Sequence, residues 1–157
     1  MPDPAAKPLA RYATWHRRGD FIFLSGVVAV DAAAGRIIRG FADLPQGVAD
    51  RIGQTGEFSV DAKDGPMIAQ SWYVLDRIRA TMEDAGGSLA DVFKLVQYFR
   101  NLNDFPRYNG VRKLFFPEVP PISTVVEVSA MMPNDDILIE VEATAWLSMP
   151  GSAAQVR

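Results

Sequence analysis

Glu140 and Glu142 stand two residues apart in an otherwise apolar run, residues 137–146, that alternates strictly. Successive strand side chains point to opposite faces, so both carboxylates share a face with Leu138, Thr144 and Trp146. Ile137, Ile139, Val141, Ala143 and Ala145 take the other face. A solvated acidic face is common in antiparallel strands, but a leucine and a tryptophan beside the carboxylates favour a protein–protein interface. A carboxylate at such an interface loses water and holds its proton more tightly, which suits a general base acting on water. The competing reading is an interface acid with a purely structural role. His16 is the only histidine and there is no cysteine. Cysteine nucleophiles and thiolate metal sites are therefore excluded, as are multi-histidine zinc sites. Phosphate-cradling GxxxxGK[ST], dinucleotide GxGxxG and nucleophile-elbow GxSxG patterns are missing. The expectation is a site without metal or organic cofactor.

The elements that must position these residues belong to one domain. The chain has 157 residues, 48% hydrophobic and 22% charged, enough for a single buried core. Residues 10–148 form that domain, with residues 1–9 and 149–157 as flexible ends. A net charge of −3 lacks the basic footprint of a nucleic-acid binder. No apolar run nears the roughly 20 residues of a membrane span, and the N-terminus lacks a signal-peptide core. Cytoplasmic residence is expected, with no nucleic-acid or membrane partner.

Residues 11–16 read as the hairpin partner of a dense apolar strand, residues 21–30, interrupted at Ser25-Gly26. Residues 37–39 read as a short third strand, and residues 41–66 as the longest irregular stretch. From Met67 the period turns helical: Ile68, Trp72, Leu75, Ile78 and Met82 form one stripe after Asp64-Gly-Pro66 and before Gly86-Gly87. Residues 92–100 are a β-branched and aromatic strand. Asn103 or Asp104 caps a second helix, with Pro106 in its first turn and a stripe of Phe105, Tyr108, Val111 and Phe115. Residues 122–129 and 137–146 close the domain as strands. The order β-β-β-α-β-α-β-β predicts an α+β two-layer sandwich, a mixed sheet with two helices on one face.

These blocks, in this order, resemble the YjgF/RidA (reactive intermediate deaminase) family. The resemblance rests on Ser25-Gly26, Ala85-Gly-Gly-Ser88, Asn103-Asp-Phe105, Tyr108-Asn109, Pro120-Pro-Ile-Ser-Thr124 and Ile139-Glu140-Val-Glu142. It implies a chorismate-mutase-like fold and a homotrimer with clefts between subunits. It also implies cofactor-independent hydrolysis of small enamines or imines to carbonyl compounds and ammonia. By the same resemblance Glu140 holds the attacking water and Tyr12 lines the cleft. Gly26 and Val27 bring backbone to the substrate, and Asn109 is a further binding residue. Each has an ordinary alternative: packing for Tyr12, a strand bend at Gly26, a helix-surface amide for Asn109.

One position departs from the pattern. The family's carboxylate-gripping arginine is here Ile122, so a simple 2-iminoacid is not the expected substrate. If residues 12, 14 and 16 alternate on one strand, His16 shares a side with Tyr12 and reaches the same cleft as a replacement donor. Arg11, Arg17 and Arg18 are the other nearby cations. A non-catalytic trimeric metabolite-binding or regulatory protein is the alternative to the enzyme.

Overall fold

The computed structural model describes residues 8–150. In chain order it contains β1 (Trp15–Arg18), β2 (Phe21–Leu24), β3 (Val27–Val28), β4 (Val30–Asp31), β5 (Arg36–Ile37), α1 (Val48–Arg51), α2 (Phe58–Asp84), β6 (Val92–Phe99), α3 (Phe105–Phe115), β7 (Ile122–Glu127) and β8 (Ile139–Trp146). The main sheet runs β1-β2-β8-β6-β7, with β3 also paired to β8. Only the β6–β7 pairing is parallel; the others in this sheet are antiparallel. The expected α+β sandwich is therefore present, a mixed sheet with its helices on one side.

The alternation of β8 sets the layers. Ile139, Val141, Ala143 and Ala145 are buried and meet Val74, Leu75, Ile78 and Met82 of α2. Tyr108 and Val111 of α3 close the other end of the same core, where Tyr108 meets Phe99 edge to face. The opposite sheet face is open. Phe21 and Phe23 are 44% and 46% exposed, and Trp146 is 50% exposed. Phe93 joins them, its ring 6.1 Å from that of Phe21.

Several boundaries differ from the sequence reading. The first strand begins at Trp15 rather than at residue 11. The apolar run 21–30 is divided: β2 and β3 both pair with β8, whereas β4 leaves for a separate two-stranded ribbon with β5. The stretch 41–66 is largely ordered into helical turns, and α2 starts at Phe58 and passes through Gly65-Pro66. Asp61 anchors that early start. Its carboxylate accepts from the Thr55 and Gly56 amides and from the Thr55 hydroxyl, and these bonds hold its pKa below the ordinary value. Gly65 then lets the helix pass the Phe41 ring, which a Cβ would approach to 3.1 Å. Leu138 lies outside the strand and packs against the core, so it does not sit beside the glutamates.

The expected flexible ends lie outside the described residues for 1–7 and 151–157. Within them, the Met149 amide donates to Asp20 Oδ1.

A buried amide ties the turn before β8 to α2. Gln70, 1% exposed, donates to the carbonyls of Ile38 and Asp136 and accepts from the Leu138 amide. Gln70→Leu strands three backbone groups, each worth about 1–3 kcal/mol when buried without a partner. The expected result is a loss of at least about 2 kcal/mol in urea unfolding with an unchanged slope. A loss of a few tenths would show that water replaces the amide.

Candidate active site

The interruption after β2 and the acidic face of β8 explain one another. β3 pairs with β8 in a register that puts Val28 opposite Glu140, so Gly26 comes down over that carboxylate. A Cβ at Gly26 would collide with Glu140 Oε1 and stand 3.0 Å from its Cδ. A side chain at residue 26 would have to push this carboxylate aside, so the glycine at the strand break lets the acid sit against bare backbone.

Glu140 makes no hydrogen bond among the described residues, although it is only partly exposed. Burial, followed by the negative charge of Glu142, pushes its pKa above the ordinary carboxylate value. Its neighbour is differently placed. Glu142 Oε1 accepts from the Tyr98 hydroxyl at 2.9 Å, a bond that raises the phenol's pKa. One carboxylate is thus committed to a partner and the other is left to whatever enters the cleft. Glu140, Gly26, Ser25, Tyr12, Val28 and Met132 line that cleft, which has a volume of about 410 Å³. Among the described residues no group of three or more His, Cys, Asp or Glu could hold a metal.

The residues singled out from sequence fall into two places. Tyr12, Gly26 and Glu140 meet in the cleft, and Val27 lines an adjoining crevice with Tyr12 and Gly26. His16 does not join them. Tyr12 precedes β1, so the expected alternation never begins there, and His16 points to the open sheet face opposite Phe23. Arg17 donates to the Leu147 carbonyl instead.

Asn109 and Ile122 lie at the other end of the sheet. Tyr98 pairs with both Glu140 and Val126, whereas Ile122 pairs with Lys94. Ile122 is therefore four residues along the strand from the Glu140 level and two strands across. That is roughly 13 Å by roughly 10 Å at ordinary strand spacings. One chain does not close these residues into one cleft. Ile122 is 63% exposed, on the same open face as Trp146.

Two residues near these sites carry chemistry that the sequence reading passed over. Tyr98 was legible as the cross-strand neighbour of Glu140, given the pairing. Arg112 lies one helical turn from Asn109, donates to its Oδ1 at 2.8 Å, and reaches Ser123 beside Ile122 at 3.0 Å.

Residues 3–147 match the family described as Endoribonuclease L-PSP, that of the YjgF/RidA proteins. The chain belongs to this family. A RutC family protein of Pyrococcus horikoshii is 34% identical over 90% of this chain and 91% of its own length. The 3-aminoacrylate deaminase RutC of Acinetobacter baylyi is 27% identical over 92% of this chain and 94% of its own. A solved structure from Klebsiella pneumoniae, described as that of a candidate endoribonuclease, is 61% identical. It superposes with a TM-score of 0.85, covering 87% of this chain and 99% of that one. The deaminase names among its relatives make this a RidA-like deaminase family. No helix among the described residues is long and apolar enough to cross a membrane.

The raised Glu140 pKa has a signed consequence. The folded state disfavours the ionised form, so this carboxyl costs nothing when protonated at low pH. Its cost to stability grows as pH rises from the ordinary value through the raised one. Glu140→Gln removes that cost, so in parallel urea melts the variant should gain on wild type as pH rises through and above the ordinary carboxylate range. Parallel curves with a constant offset would show a carboxyl with no shift.

Proposed function

We propose that this protein is a hydrolytic deaminase of small enamines or imines, with Glu140 as the base that activates water. The supporting observation is the partly exposed Glu140 carboxylate, left without a hydrogen bond beside a carboxylate that Tyr98 occupies. A carboxyl whose pKa is raised by burial and a neighbouring negative charge both gives and takes a proton more readily than an ordinary one. For an enamine, a protonated Glu140 delivers its proton to carbon and leaves an iminium. The carboxylate then removes a proton from water as its oxygen bonds to the iminium carbon. Proton return to nitrogen lets the carbon–nitrogen bond break while the hydroxyl proton passes to the Glu140 carboxylate, giving a carbonyl compound and ammonia with water consumed and the acid regenerated. Tyr12 and the backbone at Gly26 and Val27 flank the reacting atoms.

The working unit of this reading is a homotrimer. Within one chain the Glu140 cleft and the Asn109–Ile122 region lie far apart, and the open sheet face also carries exposed Phe21, Phe23, Phe93 and Trp146. Packing three such faces together covers the aromatics and sets the Glu140 end of one subunit against the Ile122 end of another. With Ile122 where the family has arginine, a simple 2-iminoacid is not the favoured substrate. The net charge of −3 speaks against RNA as substrate.

Two measurements test this. Light scattering should return three times the 17.2 kDa chain mass, and a monomer at micromolar concentration would dissolve the shared cleft. Ammonia release should be assayed with freshly generated 2-aminoacrylate, 3-aminoacrylate and longer conjugated enamines. Glu140→Gln should cut turnover by about 10²–10⁴, with Glu142→Gln much less affected. Ligand-induced thermal stabilisation without turnover on any enamine would favour a metabolite-binding protein, and cleavage of RNA would favour a ribonuclease.

A further inference from the structure

Two carboxyls on one strand face compete for any proton that reaches it. Glu140 and Glu142 are such a pair, two residues apart on the open side of β8. With Tyr98, Gly26, Val128 and Met132 they line a continuation of the cleft, with a volume of about 450 Å³. Two acids this close, left to themselves, protonate as one unit, and neither has a fixed role. Hydrolysis through a single base needs the pair to be unequal.

Tyr98 makes it unequal. In the β6–β8 register Tyr98 stands opposite Glu140, and Val96 stands opposite Glu142. The phenol nevertheless passes Glu140 by and donates its hydroxyl to Glu142 Oε1 at 2.9 Å. A tyrosine is long enough to reach this diagonal neighbour, roughly 7–8 Å away between Cα atoms, where a shorter hydroxyl would meet the residue directly across. The bond to Glu142, then burial, then the two glutamate charges keep the phenol protonated beyond its ordinary range, so it is a fixed donor. An O–H donor is met better by a carboxylate than by a carboxylic acid, so a proton entering the pair goes to Glu140. Among the described residues, Lys94 is the only cation on the strands that pair with β8, and Tyr12 is the one other titratable group lining the cleft. Lys94 stands opposite Thr144, on the Glu142 side, and biases the pair the same way.

We propose that Tyr98 is a positioning residue for the hydrolysis: by engaging Glu142 it leaves Glu140 as the one carboxyl that carries the working proton. This rests on the deaminase reading for the reaction, whereas the order of protonation belongs to the cleft itself. The phenol keeps its own proton throughout and touches no reacting atom.

The test is carboxyl NMR titration of the intact protein labelled with carbon-13 at glutamate, alongside the pH profile of kcat/KM for ammonia release. In wild type Glu140 should take its proton in one step while the Glu142 signal stays nearly still. A hydrogen bond to a charged acceptor carries roughly a tenfold preference or more. In Tyr98→Phe, therefore, both signals should move together through two shared steps, and the pH profile should broaden with KM unchanged. In a Glu142→Gln background no competitor remains, so there Tyr98→Phe should leave the Glu140 curve where it was. Glu142→Gln alone should move the Glu140 step to lower pH, because a neighbouring negative charge is gone; this covers the case of a Tyr98→Phe chain that does not fold. A Glu140 curve that ignores Tyr98→Phe, shifts equally in the Glu142→Gln background, or ignores Glu142→Gln would overturn the role of Tyr98. If the titrations behave as expected but no enamine is hydrolysed, the deaminase reading fails and the order of protonation stands. If enamines are hydrolysed and the titrations do not change, the role of Tyr98 fails and the deaminase reading stands.

Discussion

A carboxylate packed against the bare backbone of a glycine is the close approach around which the cleft is arranged. Glu140 occupies the space a Cβ would fill at Gly26. At this point the chain leaves β2, and the two short strands share β8 across a break. The break, in turn, turns Tyr12 and Ser25 towards the acid. Partial burial among these groups and the charge of Glu142 keep the carboxyl protonated to higher pH than water would allow.

The far end depends on the opposite kind of group. Arg112 keeps its charge whatever its surroundings, so the fold can shape only its direction and its company. A buried glutamine with both ends engaged gives it direction, and two aromatic rings give it a plane. The open face thus carries the adjustable acid and the exposed aromatics, while the permanent cation stays on the helix side of the sheet.

Much of this was legible in the residues. The alternation of residues 137–146 gave the layers, and the stripes of the two long helices gave the covered face. Glu140 stood out because an acid in an apolar strand needs a reason. The start of α2 was not legible, because Gly65-Pro66 is an ordinary helix-entry signal. What overrides it is tertiary: Asp61 folding back on Thr55 and Gly56, and the Phe41 ring lying where only glycine fits. The placement of His16 failed for a related reason, since alternation holds only inside a strand and β1 begins after Tyr12. Arg112 was invisible because its meaning lies in acceptors drawn from β6, β7 and its own helix.

The position of β8 has a consequence for how the chain reaches this state. The last strand made is central in the sheet, with β2 and β3 on one edge and β6 on the other. Without β8, β1–β2 and β6–β7 would have no shared partner, each with an unpaired edge. The two halves join into one layer only through residues 139–146, over long sequence separations. The strand that carries Glu140 is also the strand that completes the sheet. A chain truncated before it would lose its sheet along with its chemistry, and a misfolded chain would not display half a cleft.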